Sequence, residues 1–277
     1  MNDHGSILVF TLAVMVLLVS LAGGFLYAAS VFISNSGWEE MDAKLFCLAE
    51  AGLQKGIWNL KTPTGSSGQS ESWTTAGTTE NLGDGSYTMV VARWDFALAA
   101  NSATASASSA SGGHAASSAI DGSDATYWES ANNVTNSNAE EIIIAFPYTL
   151  TINKARFLAP SGSSANIPKD YTWQVSTNGT TYTTVVTVTN NSTADVTNTF
   201  TAASSVNYLK LNVTRTNTNN RKVRVATLEA IGSKITSTGT VTVSGTTYTR
   251  TVSQTVVTDD ASPQNQVAYY EPDWVEQ

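Results

Sequence analysis

From Ile7 to Ile33 the chain carries no charged residue. At about 1.5 Å per helical residue, such a run is long enough to cross a hydrocarbon core of roughly 30 Å. A secretory signal would pair a basic segment with a shorter apolar centre and a small-residue cleavage site. Here Met1, Asn2, Asp3, His4 and Gly5 precede the run without a Lys or Arg, and Ala28-Ala29-Ser30 comes only after it is already too long. The run therefore reads as a helix that the protein keeps.

Downstream, Met41, Leu45, Leu48, Gly52, Leu53, Ile57 and Leu60 recur at three- and four-residue spacing. Glu39, Asp42, Lys44, Glu50 and Lys55 fall mostly off that stripe, as in an amphipathic helix. Ser36-Gly37-Trp38-Glu39 has the form of a capping box and suggests a restart after a short break. Cys47, the chain's single Cys, can form no internal disulfide and is expected to pack within the helix. One reading is a single long N-terminal helix; the other is a plain membrane anchor followed by a juxtamembrane helix.

A short polar leader ending in Gly5, then Ser6, an apolar helix and Ala49-Glu50-Ala51-Gly52-Leu53 together resemble the type IV pilin superfamily, in its minor-pilin and pseudopilin branch. The resemblance implies cleavage after Gly5, a mature protein starting at Ser6, and a helix that sits first in the inner membrane and later in a filament core against other pilin subunits. It also implies a bacterial protein that ends on an extracellular filament. Major pilins carry a glutamate at the fifth mature position, which is Phe10 here, so the resemblance is to a minority subunit.

Beyond the helix, residues 62–86 are polar, Gly-rich and loop-like. Gly85 to Trp94 reads as a strand with Tyr87, Met89 and Val91 on one face. Thr240 to Ser244 and Thr247 to Val257 read as a hairpin about Gly245. These suit a small antiparallel head, residues 62–100 and 233–277, resting on helix 6–61 behind leader 1–5. Between them lies a stretch of domain size. Its short runs are separated by Asn/Gly/Ser turns, with Asn178-Gly179 a hairpin signal, and no helical period appears, as in a β-sandwich.

The ordered pieces Ala119–Trp128, Glu140–Pro160, Pro168–Val185, Tyr208–Thr214 and Ala226–Gly232 resemble the discoidin domain, also called F5/8 type C or family 32 carbohydrate-binding module, over residues 101–232. The expected architecture is thus α+β: a long N-terminal helix on a small antiparallel pilin-type sheet, with an inserted all-β discoidin-like jelly-roll sandwich. The family resemblance implies a structural calcium. Its side-chain donors would be Asp121, Thr126 and Glu229, with carbonyls from Ser118, Ser123 and Leu228, and Gly122 allowing the turn. A hard cation takes six to eight oxygens of this kind; the bland alternative is an ordinary Asp-Gly turn. Trp128 is expected in the core.

Sugar-binding relatives use loops at one end of the sandwich, which points to Asn132, Asn219, Asn220 and Arg221, with the 160–169 loop beside them. Solvated polar loops are the plain alternative, and His114 reads as a surface residue. With 14 basic against 22 acidic residues and no basic stripe, nucleic acid is excluded as a partner. No catalytic motif is present, and Glu140 and Glu141 begin a strand with side chains on opposite faces, so no enzyme is expected. Two functions remain open. One is a filament subunit displaying a module for a glycan or other cell-surface ligand. The other is an assembly or priming pilin, or a secretion pseudopilin, whose insert makes protein contacts.

Overall fold

A computed structural model describes residues 3–61, 73–135 and 137–257. The backbone is helical over Asp3–Lys61 (α1) and passes through Ser36–Glu39 without the expected break. Gly37 costs the helix roughly 1 kcal/mol but, unlike proline, leaves the hydrogen-bond ladder whole. Among the described residues no helix is long and apolar enough to cross a membrane. The membrane-spanning reading of the apolar run falls largely on side chains outside the described set, as do residues 1–2 of the leader and the side chains around its processing point at Gly5 and Ser6. Residues 62–72 and 258–277 of the expected head also lie outside it.

The C-terminal half of α1 buries Leu45, Leu48, Ala49, Leu53, Ile57 and Leu60, while Cys47 lies off that stripe and is exposed rather than packed. The stripe rests on an antiparallel sheet of β1 (Thr75–Leu82), β2 (Gly85–Asp95), β10 (Thr227–Val243) and β11 (Thr246–Val256); β1 replaces the loop expected there, its polar residues held in an edge strand by backbone pairing with β2 rather than by burial. Alternation puts Tyr87, Met89, Val91, Ile235, Val252 and Val256 against the helix. On the other face Thr79, Thr88, Thr238 and Thr251 stand in one row across the four strands, and their hydroxyls pair at 2.8 Å within β1–β2 and β10–β11. The β10–β11 turn sits where expected, with Ser244 and Gly245 both at positive φ. Helix and sheet meet backbone to backbone at Gly239, where a Cβ would strike the Leu45 carbonyl and lie 2.8 Å from the Ala49 nitrogen.

Between β2 and β10 the chain forms β3 (Thr104–Ala107), β4 (Trp128–Glu129), β5 (Glu140–Leu158), β6 (Pro168–Ser176), β7 (Thr183–Val188), β8 (Asp195–Thr216) and β9 (Arg224–Val225). These build the discoidin-like all-β sandwich. β5 pairs with β8 along most of its length, and the register shifts between Ala145 and Lys154 mark where the long strands bend. Residues before and after the bend, such as Ile142, Ile144, Ile152 and Phe157, share one core with Trp128, Trp173, Leu209 and Leu211. Trp128 is fully buried, its indole N–H donating to the Ser109 carbonyl at 2.9 Å. The Asn178-Gly179 signal falls inside a longer β6–β7 connection, residues 177–182, because Asn178 Oδ1 accepts from the Thr180 and Thr181 amides instead of closing a two-residue turn. Glu140 is buried, whereas Glu141 faces out and pairs with Lys210 at 3.1 Å, as their opposite faces require.

The boundary expected at 232/233 falls inside a strand. β10 pairs with β5 over Thr227–Ala230 and with β2 from Ile231 onward, so one strand belongs to both sheets. Asp95 ends β2 opposite Ile231 and accepts the Ala97 and Ala230 amides on Oδ1 at 2.8 and 3.0 Å. Burial, with a smaller push from the Glu229 charge, raises its pKa to about 7 against these hydrogen bonds and the nearby Arg93.

Two predictions follow from this packing. Gly239→Val forces β10 off the helix backbone and should cost on the order of 3 kcal/mol, an overpacking penalty. Thermal melting of the detergent-solubilised chain checks it against Gly112→Ala, where a Cβ meets nothing within 4 Å. The second concerns Asp95. Because its folded pKa of about 7 lies above the unfolded carboxylate value, the folded chain holds the extra proton between roughly pH 4 and 7. Asp95 therefore makes stability fall as pH rises through that window, and urea melts of Asp95→Asn should lack that part of the slope.

Candidate functional site

The loop after the 3-10 turn Ala116–Ala119 brings part of the expected metal set together. Gly122, at φ +82, reverses the backbone. Asp121 accepts the Ser123 amide on Oδ1 at 2.9 Å and the Thr126 hydroxyl on Oδ2 at 2.6 Å, and Thr126 Oγ1 lies 3.2 Å from the Ser123 carbonyl. These are oxygens of the type that calcium takes. Ser118 stays in the 3-10 turn, and Leu228 lies on β10 opposite Phe157 with its side chain in the core.

Glu229 lines one cavity with Ala119, Ile120, Gly122 and Asp124 of this loop. Its Oε2 accepts from Arg93 and, at 2.8 Å, from Arg156 Nη1, while Arg156 also grips Asp195 at 2.6 and 2.9 Å. Thr227 of β10 also reaches the loop, its hydroxyl donating to Asp124 Oδ1 at 2.6 Å. Among the described residues no three His, Cys, Asp or Glu side chains converge as a metal group. That cavity, of about 260 Å³, is also lined by Asp95, Leu98 and Arg156.

The three segments singled out for a ligand, 128–133, 160–169 and 216–222, meet at one end of the sandwich. Just past the first of them, Val134 bridges to the third, its N donating to the Arg221 carbonyl at 2.9 Å. Loop 160–169 is stitched to the same segment: Asn217 N donates to the Ile167 carbonyl at 2.9 Å, Thr218 N to that of Ala165 at 3.0 Å, and Asn166 Nδ2 to that of Lys222 at 2.7 Å. Asn132, Asn219, Asn220 and Arg221 are all exposed on these loops. Asn220 takes a left-handed φ of 59°, which asparagine tolerates better than most residues. Asn132 is partly engaged, donating to Glu140 Oε1 at 3.1 Å.

Two carboxylates lie beneath this surface. Burial opposes charging of Glu129, but hydrogen bonds from Arg224, Ser111 and Lys222 outweigh it and hold its pKa below the usual carboxylate range. Glu140 is likewise penalised by burial and held low by Ser108, Ser109, Asn132 and Asn138. Arg224 also reaches Ser163 Oγ at 3.3 Å. Its guanidinium lies 5.3 Å from the Tyr127 ring centre, and His114 stacks on that ring at 4.1 Å. Sequence reading did not single out His114, Tyr127, Glu129 and Arg224 as one cluster. The available signal was Trp128: in an extended segment, neighbours of a core residue face the other way.

Residues 102–228 match the family model described as the F5/8 type C domain. Among solved structures, chitosan-binding module 1 of a chitosanase/glucanase from Paenibacillus sp. IK-5 is 30% identical, covers 50% of this chain and 98% of its own, and has a TM-score of 0.43. The family 32 carbohydrate-binding module of Clostridium perfringens NanJ, in complex with galactose, is 18% identical, with coverages of 50% and 99% and a TM-score of 0.44. A further C. perfringens module, CpGH89CBM32-5, in complex with GalNAc-β-1,3-galactose, is 20% identical, with coverages of 47% and 95% and a TM-score of 0.42. No curated protein matches the chain. Through residues 102–228 the protein belongs to the F5/8 type C domain family.

Proposed function

We propose that this chain is a minor subunit of an extracellular type IV pilus-like filament and displays its F5/8 type C domain to bind glycans. The observation that carries the reading is the convergence of segments 128–134, 160–169 and 216–222 on one end of a sandwich that grows out of a helix-backed sheet. Amides, hydroxyls and guanidiniums gathered there suit the hydroxyl pattern of a sugar. The apolar N-terminal run suits a helix held first in the inner membrane and then among other subunits, and Phe10 suits a subunit in the minority. The reading assigns no catalytic step.

A structural calcium belongs to the same proposal. Asp121, Thr126 and Glu229 would hold it with carbonyls from Ser118, Ser123 and Leu228, and it would stiffen the loop that leads into Trp128.

Two outcomes test this reading. The native chain should begin at Ser6 by mass spectrometry and should bind at least one glycan on an array; a chain cleavage site beyond Gly24, or a blank array, counts against the filament and glycan parts respectively. Saturating calcium, at about 100 times its dissociation constant, should add roughly 2.7 kcal/mol if it binds only the folded state. That gain should appear as a rise in Tm over chelator and vanish in Asp121→Ala, whereas equal melting with and without the ion removes calcium from the proposal.

A further inference from the structure

The chain has more acidic than basic residues, 22 against 14, yet three of its cations, Arg221, Lys222 and Arg224, fall within four positions at the loop end described above. The carboxylates there are turned inward. Glu129 keeps only 8% of its side chain exposed and is closed by Lys222 and Arg224, and Glu140 is buried under Ser108, Ser109, Asn132 and Asn138. The cations keep more of themselves outside: 35% of the Lys222 side chain and 32% of that of Arg224, with Arg221 exposed. Three cations against two hidden carboxylates make the surface offered to a ligand positive, on a molecule whose net charge is -8.

The cationic groups are also fixed in place. Glu129 holds Arg224 at Nε and Ser163 holds it at Nη1, so the guanidinium plane is set before any ligand arrives, and Nη2 has no partner among the described residues. The Tyr127 ring is already engaged by Arg224 and His114, which leaves charge and hydrogen bonding, rather than stacking on that ring, to choose the ligand. A preset guanidinium with Nη2 to offer, beside further cations, is suited to a carboxylate, which it meets through a charge-assisted hydrogen bond.

We infer that the glycan taken at this loop end is acidic, carrying a carboxylate on its pyranose. The inference rests on the glycan-binding reading above and narrows it to a ligand class. A uronate and a sialic acid share this chemistry, so both are tested, each against a neutral partner of matched size. The probes are trigalacturonate with its methyl ester, and sialyllactose with lactose, titrated by calorimetry into the full chain in a mild detergent.

At least one acid should bind about tenfold more tightly than its neutral partner, the worth of a charge-assisted contact. That advantage should shrink as salt rises from about 50 to about 500 mM. Arg221→Ala should weaken the acid several-fold, and Lys55→Ala, far away on α1, should not. Equal affinity for acid and neutral partner, or an acid preference untouched by salt and by Arg221→Ala, overturns the inference. If only neutral glycans bind, the ligand class is wrong and the glycan reading stands. If the array is blank as well, both fall.

Discussion

Strand β10 is the constraint on which the two parts of the molecule depend. Its first residues, Thr227–Ala230, complete the sandwich against β5, and from Ile231 it becomes the centre of the head sheet between β2 and β11. The chain leaves the head at Asp95 and returns at its partner Ile231, so the insertion opens and closes at a single pair of residues. A flexible two-stranded tether would not hold an orientation; a continuous hydrogen-bonded strand does. The ion network reinforces it, since Arg93 comes from β2, Glu229 from β10, Arg156 from β5 and Asp195 from β8. Removing one member would leave a partly buried charge unpaired, which costs more than the pair contributes.

That network gives Glu229 partners that sequence alone does not display. A glutamate near the end of the last sandwich strand satisfies the family pattern as a letter in a string, and nothing in the string reveals two arginines, one of them 136 positions away, waiting for it. Local features were more legible. Alternation in β2, the three- and four-residue stripe of α1, the Gly245 turn and the burial of Trp128 each follow from neighbours within a few residues. What depended on distant partners was not: the long run of β10 across an expected boundary, the longer loop around Asn178, and the placing of Tyr127, Glu129 and Arg224 in one cluster. Cys47 failed for a smaller reason, since it sits between Leu45 and Leu48 in the chain but off their face of the helix.

The two candidate sites are not independent, because they share a ribbon. β4 follows directly on the Asp121–Thr126 loop, and β9 leads directly into Thr227. The two strands pair as Trp128 with Val225 and Glu129 with Arg224. One pair is wholly buried in the core and the other lies beneath the candidate ligand loops. A shift of the Asp121 loop or of the start of β10 would have to pass through Trp128, which close packing and its bond to Ser109 hold in one position. The ribbon is therefore better suited to fixing the ligand end than to moving it: order at the Asp121 loop and at the shared strand is carried to Glu129, and from Glu129 to the arginine that it orients.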